Sequence, residues 1–297
     1  MKIYLSYFFP RLLLCFIACI LSLNVHAQGP WLQKKNAAFL QLQTTLQAQG
    51  TYDGLILNGI SVTDTETNIN REVANSDLGI YAIYGLTDKI TLFSHLPFKY
   101  VASREATDSL YNPTLLEEGS LFGLSNYQLG VKYGILDKGL QLAVSLQTTW
   151  NTTSSDLEKG LTTGYLSNSF GLFGHIGGSL SPRIYSFLDL GYNVATHDYS
   201  DFVSANVELG FKAAKARNLW IILNLTLRES MENGDFLNEN LLQTGLYPND
   251  QEWKGYAIKL LYEGKNQIGF TLGTAGAFSA NYIGFAGPIT FGTFKKW

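Results

Sequence analysis

From Gln28 onward the chain alternates between apolar and polar positions with period two, the pattern of strands whose two faces meet different surroundings. In residues 204–211, Ala205, Val207, Leu209 and Phe211 fall on one face, and Ser204, Asn206, Glu208 and Gly210 on the other. Residues 126–134, 138–150 and 219–227 repeat the pattern, and helical spacing is hard to find. The alternation predicts strands near 36–48, 76–86, 89–101, 125–135, 139–151, 166–180, 183–196, 202–213, 217–229, 253–263, 266–279 and 286–297. Globular strands usually run to about five or six residues and membrane-spanning ones to about nine to eleven, and these are mostly of the longer kind. Their connections alternate too. Tight turns at 86–89, 135–138, 181–182, 213–217 and 263–265 lie between long polar segments at 49–75, 102–124, 151–164 and 230–252. Short turns at one end, long loops at the other and an even strand number predict an all-β fold, a transmembrane antiparallel up-and-down β-barrel of about 12 strands.

Aromatic residues sharpen that reading, because Tyr84, Tyr133, Phe211 and Tyr262 each stand just before a tight turn. Tyr100, Trp150, Tyr192, Tyr256 and Phe278 lie on the apolar faces toward the opposite strand ends, so the two sets predict the two interfacial girdles of a barrel. The chain ends on Trp297, in phase with Ile289 and Phe291, like the terminal aromatic of outer-membrane barrels.

Only 15% of the residues are charged, against about 25% in an ordinary soluble domain. Much of the surface is therefore expected to face something other than water. Beyond the first two dozen positions no apolar run approaches the length of about 20 residues that a membrane helix needs, which excludes a multi-span helical protein. At the start, Lys2 and Arg11 precede the apolar run 12–23, and Val25 and Ala27 provide small residues before Gln28. Residues 1–27 read as a secretory signal peptide and 28–297 as the exported barrel. An alternative, acylation at Cys19, is disfavoured by Phe16 and by an apolar run that continues past it. Both cysteines, Cys15 and Cys19, lie in the leader, so the exported part has no thiol chemistry. Losing Lys2 and Arg11 leaves 19 of the 21 basic residues against 24 acidic ones, a net charge of −5, with the basic residues scattered singly. That argues against nucleic acid as a partner.

If the apolar faces meet lipid, the polar faces line the interior. That set comprises Asp77, His95, Lys99, Gln128, Lys132, Gln141, Gln147, His175, Asp189, Asn193, Asn206, Glu208, Asn224, Arg228 and Lys259. Both signs are present, and charges in so narrow a space must pair or stay hydrated. They either fill the lumen as a structural network or tune the selectivity of a solute pathway. No catalytic residue is assigned. The lipid-facing Ser-His-Asn set of barrel phospholipases, with its His-x-Ser-Asn-Gly stretch, has no counterpart here, and His197 stands at a loop edge near Asp198 and Ser200. No metal or cofactor is expected either: Asp64, Glu66, Asn68 and Asn70 alternate in a loop, but the glycine and terminal glutamate of a calcium loop are missing.

The segment 84–92, Tyr-Gly-Leu-Thr-Asp-Lys-Ile-Thr-Leu, followed by Leu96-Pro97-Phe98, resembles the hairpin signature of the meta-pathway phenol-degradation outer-membrane barrels. Residues 133–138 form a weaker copy. The resemblance implies a barrel of about this size that passes small solutes, and it carries over no site residues. The resulting expectation is a non-enzymatic channel or transporter in the outer membrane, with membrane lipid, an unidentified small solute and the barrel-assembly machinery as its partners. A structural or surface-interaction barrel with a plugged lumen, whose loops bind partners or polysaccharide, is the alternative. A secreted soluble β-sandwich is a third class, which would require the apolar faces to pack on each other.

Overall fold

The computed structural model describes residues 29–47, 50–51, 72–104, 116–213, 218–283 and 287–297. The signal-peptide reading, the loop carrying Asp64 to Asn70 and most of the turn at 213–217 lie outside the described residues. The barrel strands are β1 (Ala38–Leu46), β2 (Glu72–Gly85), β3 (Ile90–Ser103), β4 (Tyr127–Lys138), β5 (Leu140–Trp150), β6 (Ser169–Ser181), β7 (Ile184–Ala195), β8 (Phe202–Lys212), β9 (Leu219–Ser230), β10 (Glu252–Glu263), β11 (Ile268–Asn281) and β12 (Ile289–Lys296). Each pairs antiparallel with its sequence neighbours, and β1 also pairs with β12, from Phe39 opposite Lys296 to Leu46 opposite Ile289. The cylinder is therefore closed and leaves no sheet edge of this length open. At its seam, Ala38 and Trp297 exchange backbone hydrogen bonds.

The alternation in sequence becomes an inside and an outside. Leu129, Val131, Tyr133, Leu188, Leu190, Leu223, Leu225, Ile258 and Leu260 project outward and are exposed, whereas Gln41, Thr91, Lys132, Asn193 and Asn206 are buried within. An apolar exterior around a polar interior is the arrangement of a barrel in lipid. Tyr84, Tyr133 and Tyr262 are exposed at the turn end and Phe211 is half-buried there; Tyr100, Trp150, Tyr192, Tyr256 and Phe278 are exposed toward the loop end.

Two local readings change. Residues 135–138 continue β4 instead of forming a turn, because a bulge between Gly134 and Leu136 carries the pairing on to Lys138 opposite Leu140. The chain then reverses at Gly139, whose φ of +73° suits glycine. In the long loop segments, residues 119–124 form a strand that pairs with the loop end of β3. Residues 230–252 contain a short helix, α1 (Glu239–Thr244), where the alternation gave no sign of one. Its N-cap Asn238 accepts from the N–H groups of Asn240 and Leu241, and Gly245 closes it in the left-handed conformation.

Glycines opposite aromatic residues recur around the wall. Phe93 faces Gly130, Phe173 faces Gly191, Tyr185 faces Gly210 and Phe294 faces Gly269 directly across a seam. A Cβ on any of these glycines would lie 2.0–2.2 Å from the facing ring, so each inward ring rests flat on the neighbouring strand. Gly191→Ala is expected to destabilise the barrel by about 1–3 kcal/mol through overpacking. The double variant with Phe173→Ala should fall short of the sum of the two single losses. Urea unfolding in detergent checks this, and strict additivity would disprove the contact.

Candidate functional site

The interior is organised as a polar belt at mid-height, with a plug below it and a chamber above. The plug is the segment that precedes β1. Gly29 donates its N–H to both carboxylate oxygens of Asp189, at 3.0 and 2.9 Å, while its carbonyl accepts from the Lys132 ammonium. A carboxylate on β7 and an ammonium on β4 thus hold the two ends of one residue. Trp31 packs edge-on against Tyr185 and Phe187, with ring centroids 5.4 and 5.5 Å away. Further toward the turn end, the N–H of Gln33 donates to Thr91 Oγ1 and that of Asn36 to the Gly85 carbonyl, which brings the chain to the rim where β1 begins.

The belt runs through successive strands. Lys132 lies opposite Ser145 across the β4–β5 seam, and His175 opposite Asp189 across the β6–β7 seam. His175 Nδ1 is 2.7 Å from Asp189 Oδ1, and its Nε2 is 2.8 Å from Ser145 Oγ. A carboxylate can only accept, so Nδ1 carries the proton and Nε2 takes the serine hydroxyl as donor when the ring is neutral. Asn206 Nδ2 approaches the same carboxylate at 3.4 Å. Two residues further along β8, Glu208 accepts from the Tyr185 hydroxyl at 2.8 Å and from Asn224 at 3.4 Å, and the ammonium of Lys259 lies 3.9 Å away. Every acid of the belt therefore has several donors, as buried charge requires.

Serine, histidine and aspartate in this order resemble a hydrolytic relay. Ser145, however, sits within the ladder, paired with Lys132 on one side and Phe173 on the other. Ladder pairing occupies the surrounding backbone N–H groups, which leaves no backbone oxyanion hole. In this arrangement the relay orients Asp189 toward Gly29. His197, in the connection after β7, bonds Thr196 at 2.7 Å and joins no such set.

Above the belt lie two cavities that share Gln128, Gln147, Phe173 and Arg228 as lining: one of about 290 Å³ beside His175, Asp189 and Asn206, and one of about 420 Å³ bounded by Asp77, His95, Lys99 and Asn193. A third, of about 510 Å³, is bounded by Asn224, Lys259 and the small-residue stretch Gly273 to Ala277. Gln141 stands apart near the turn end, where its amide donates to the Asp137 carbonyl at 2.8 Å.

The described loops 151–168 and 231–251 pack on each other over the chamber. Thr244 of α1 donates to the Gly160 carbonyl, Asn240 to that of Leu157, and Val73, Val101, Leu161 and Leu246 form a small apolar core beneath them. Tyr247 reaches from this lid to accept from the Lys99 ammonium on the wall. Tyr165 donates to Gln251 at 2.7 Å, and Tyr199 stacks on Phe236 with centroids 4.4 Å apart. Burial raises the Asp201 carboxyl, but hydrogen bonds from the Ala195 N–H, the Tyr192 hydroxyl and the Asn233 amide outweigh it and hold the group below the ordinary carboxylate range. That anchors the loop edge to β7.

Sequence reasoning named most of the belt and chamber from strand phase but missed Gly29, Ser145 and the aromatic partners Tyr165, Tyr185 and Tyr247. Ser145 stood in the polar phase and was detectable; Gly29 and the loop tyrosines belong to no periodic segment.

The fold is similar to that of an outer membrane channel from Pseudomonas putida F1, with a TM-score of 0.67 at 13% identity, covering 93% of this chain and 100% of that one. Looser likenesses link it to the KdgM porin, solved with disordered oligogalacturonate, at a TM-score of 0.49 and 6% identity over 86% of this chain and 98% of that one. Another is LpxR from Salmonella typhimurium, at 0.47 and 10% identity over 86% of this chain and 99% of that one. No protein-family model matches the sequence, and neither does any curated protein. At such low identity the likeness to the channel speaks for the fold: the chain is a closed, twelve-stranded antiparallel barrel of the outer-membrane type.

Proposed function

We propose that the protein is an outer-membrane channel that passes small solutes and performs no chemistry on them. The observation that carries this reading is the interior itself: two adjoining cavities lined by charged and amide side chains, inside a wall whose outer face is apolar. A barrel built only for stability would fill that space with side chains. The Tyr84 to Leu92 hairpin, resembling the meta-pathway phenol-degradation barrels, supports a small-molecule solute. On this reading residues 1–27 are removed on export, the assembly machinery inserts the rest, and the inward residues Asp77, His95, Lys99, Gln128, Lys132, Gln147, His175, Asp189, Asn206, Glu208, Asn224, Arg228 and Lys259 shape the pathway. Gln141 lies at its turn-end margin.

Single-channel recording of the refolded protein tests the proposal, with a denatured sample as control. Steady openings are expected. Glu208→Gln should shift the anion-to-cation permeability ratio toward anions by about twofold or more, since it removes a lumen charge. A folded barrel that never conducts would overturn the reading. The clamp on Gly29 favours one alternative, a plugged barrel that works through its outer loops, and a silent barrel would support it.

A further inference from the structure

Arg228 is the charge of the chamber that the network does not balance. On β9 it lines both the 290 and the 420 Å³ cavities. Its guanidinium lies 3.6 Å over the ring of Phe202, 4.6 Å over Tyr165 and 5.3 Å over Trp253. Among the described residues no carboxylate pairs with it, and its buried Nε has no hydrogen-bond partner. Lys259 lies near Glu208, and Lys99 stands opposite Asp77 across the β2–β3 seam, so the other chamber cations have acidic neighbours. One edge of the guanidinium meets the Tyr165 hydroxyl in a hydrogen bond, while the unpartnered Nε leaves N–H capacity of the kind that grips a carboxylate. Arg228 is half-buried at the cavity wall with its Nε shielded from water, and a charge held there without a carboxylate partner favours an anion entering from outside the chain.

The surroundings say which kind. Next to Arg228, Tyr165 and Tyr247 meet edge to face with centroids 5.1 Å apart, and the Lys99 ammonium lies 4.6 Å from the centroid of the Tyr247 ring. Two cations thus flank an aromatic wall, and Phe173, Tyr199 and Pro97 continue the lining of the same 420 Å³ cavity. Inorganic anions gain nothing from such walls, whereas a carboxylate joined to an apolar body uses both. We propose that the chamber between Arg228 and the Tyr165–Tyr247 pair is a binding site for small apolar carboxylates, which the channel takes as solutes. The proposal rests on the channel reading for transport, but not for binding.

Hexanoate and its uncharged counterpart hexanamide are the probes, with the full exported chain in a planar bilayer. Hexanoate should block the current at concentrations where hexanamide does not. Arg228→Gln should weaken that block about tenfold or more, the loss of a charge-assisted hydrogen-bond pair, while Arg228→Lys should retain part of it. The wild-type comparison needs no variant to fold, and heat-modifiable migration verifies those that do. Equal block by the two probes, or block unchanged in a folded Arg228→Gln barrel, would overturn the site and leave the channel standing. If the barrel is silent, calorimetric titration in detergent reads the same comparison. Hexanoate binding that depends on Arg228 would then support the site while refuting transport, and no binding would refute the site.

Discussion

Replacing Lys132 with methionine is expected to destabilise the barrel by about 3–5 kcal/mol, the usual loss when one partner of a buried charge system is removed. Lys132 has no solvent exposure, and it balances the carboxylate of Asp189, itself only 6% exposed. The variant leaves that carboxylate with His175, Asn206 and the Gly29 N–H, but no fixed cation. Adding Asp189→Asn should restore part of the loss, since the double variant carries no uncompensated charge. Urea titration of the heat-modifiable form in detergent measures both. An unchanged midpoint for Lys132→Met would mean that water, and not the ammonium, compensates Asp189.

Gly29→Ala should release the plug. The residue has φ +81°, and an added Cβ would lie 2.7 Å from the Trp31 ring and 2.9 Å from Phe187. Backbone strain and overpacking together are expected to disfavour the seated segment by about 2–5 kcal/mol, a shift of about 30-fold or more in its docking equilibrium. Two readouts follow: larger single-channel steps, and faster tryptic cleavage after Lys34 or Lys35. The control is Gly139→Ala, at φ +73° with open space around its Cβ position, which strains an outside turn without touching the lumen. If both variants leave cleavage and conductance at the wild-type level, the segment does not obstruct the pathway.

Period-two alternation made the cylinder legible, because lipid outside and polar groups inside impose opposite demands on successive residues. The first and last strands, the least distinct in sequence, pair with one another, as a closed sheet demands. What strand phase does not supply is register. His175 and Asp189 both stand in the polar phase, yet the two-residue turn at Pro182–Arg183 starts the hairpin with Ser181 opposite Ile184, a register that would set His175 against the outward Leu190. The bulge between Ser179 and Ser181 shifts it by one and brings histidine to aspartate. No local signal marks that bulge. The plug was hidden for another reason: residues 29–37 take their place from charged groups more than a hundred positions away, and only the closed wall brings Lys132 and Asp189 to either end of Gly29.

The single non-local seam, between β1 and β12, sets the order in which this molecule can be made. Every other strand can be laid down as a hairpin on its predecessor, but the ring has two bare edges until the C-terminal strand arrives. Closing a circuit from Ala38 to Trp297 carries an entropy cost that grows only with the logarithm of its length, so the greater hazard is the wait with both edges open. The N-terminal segment is synthesised before any strand and is joined directly to the first of them. It therefore need not thread into a finished pore: the sheet can curl around it before the last strand closes the ring.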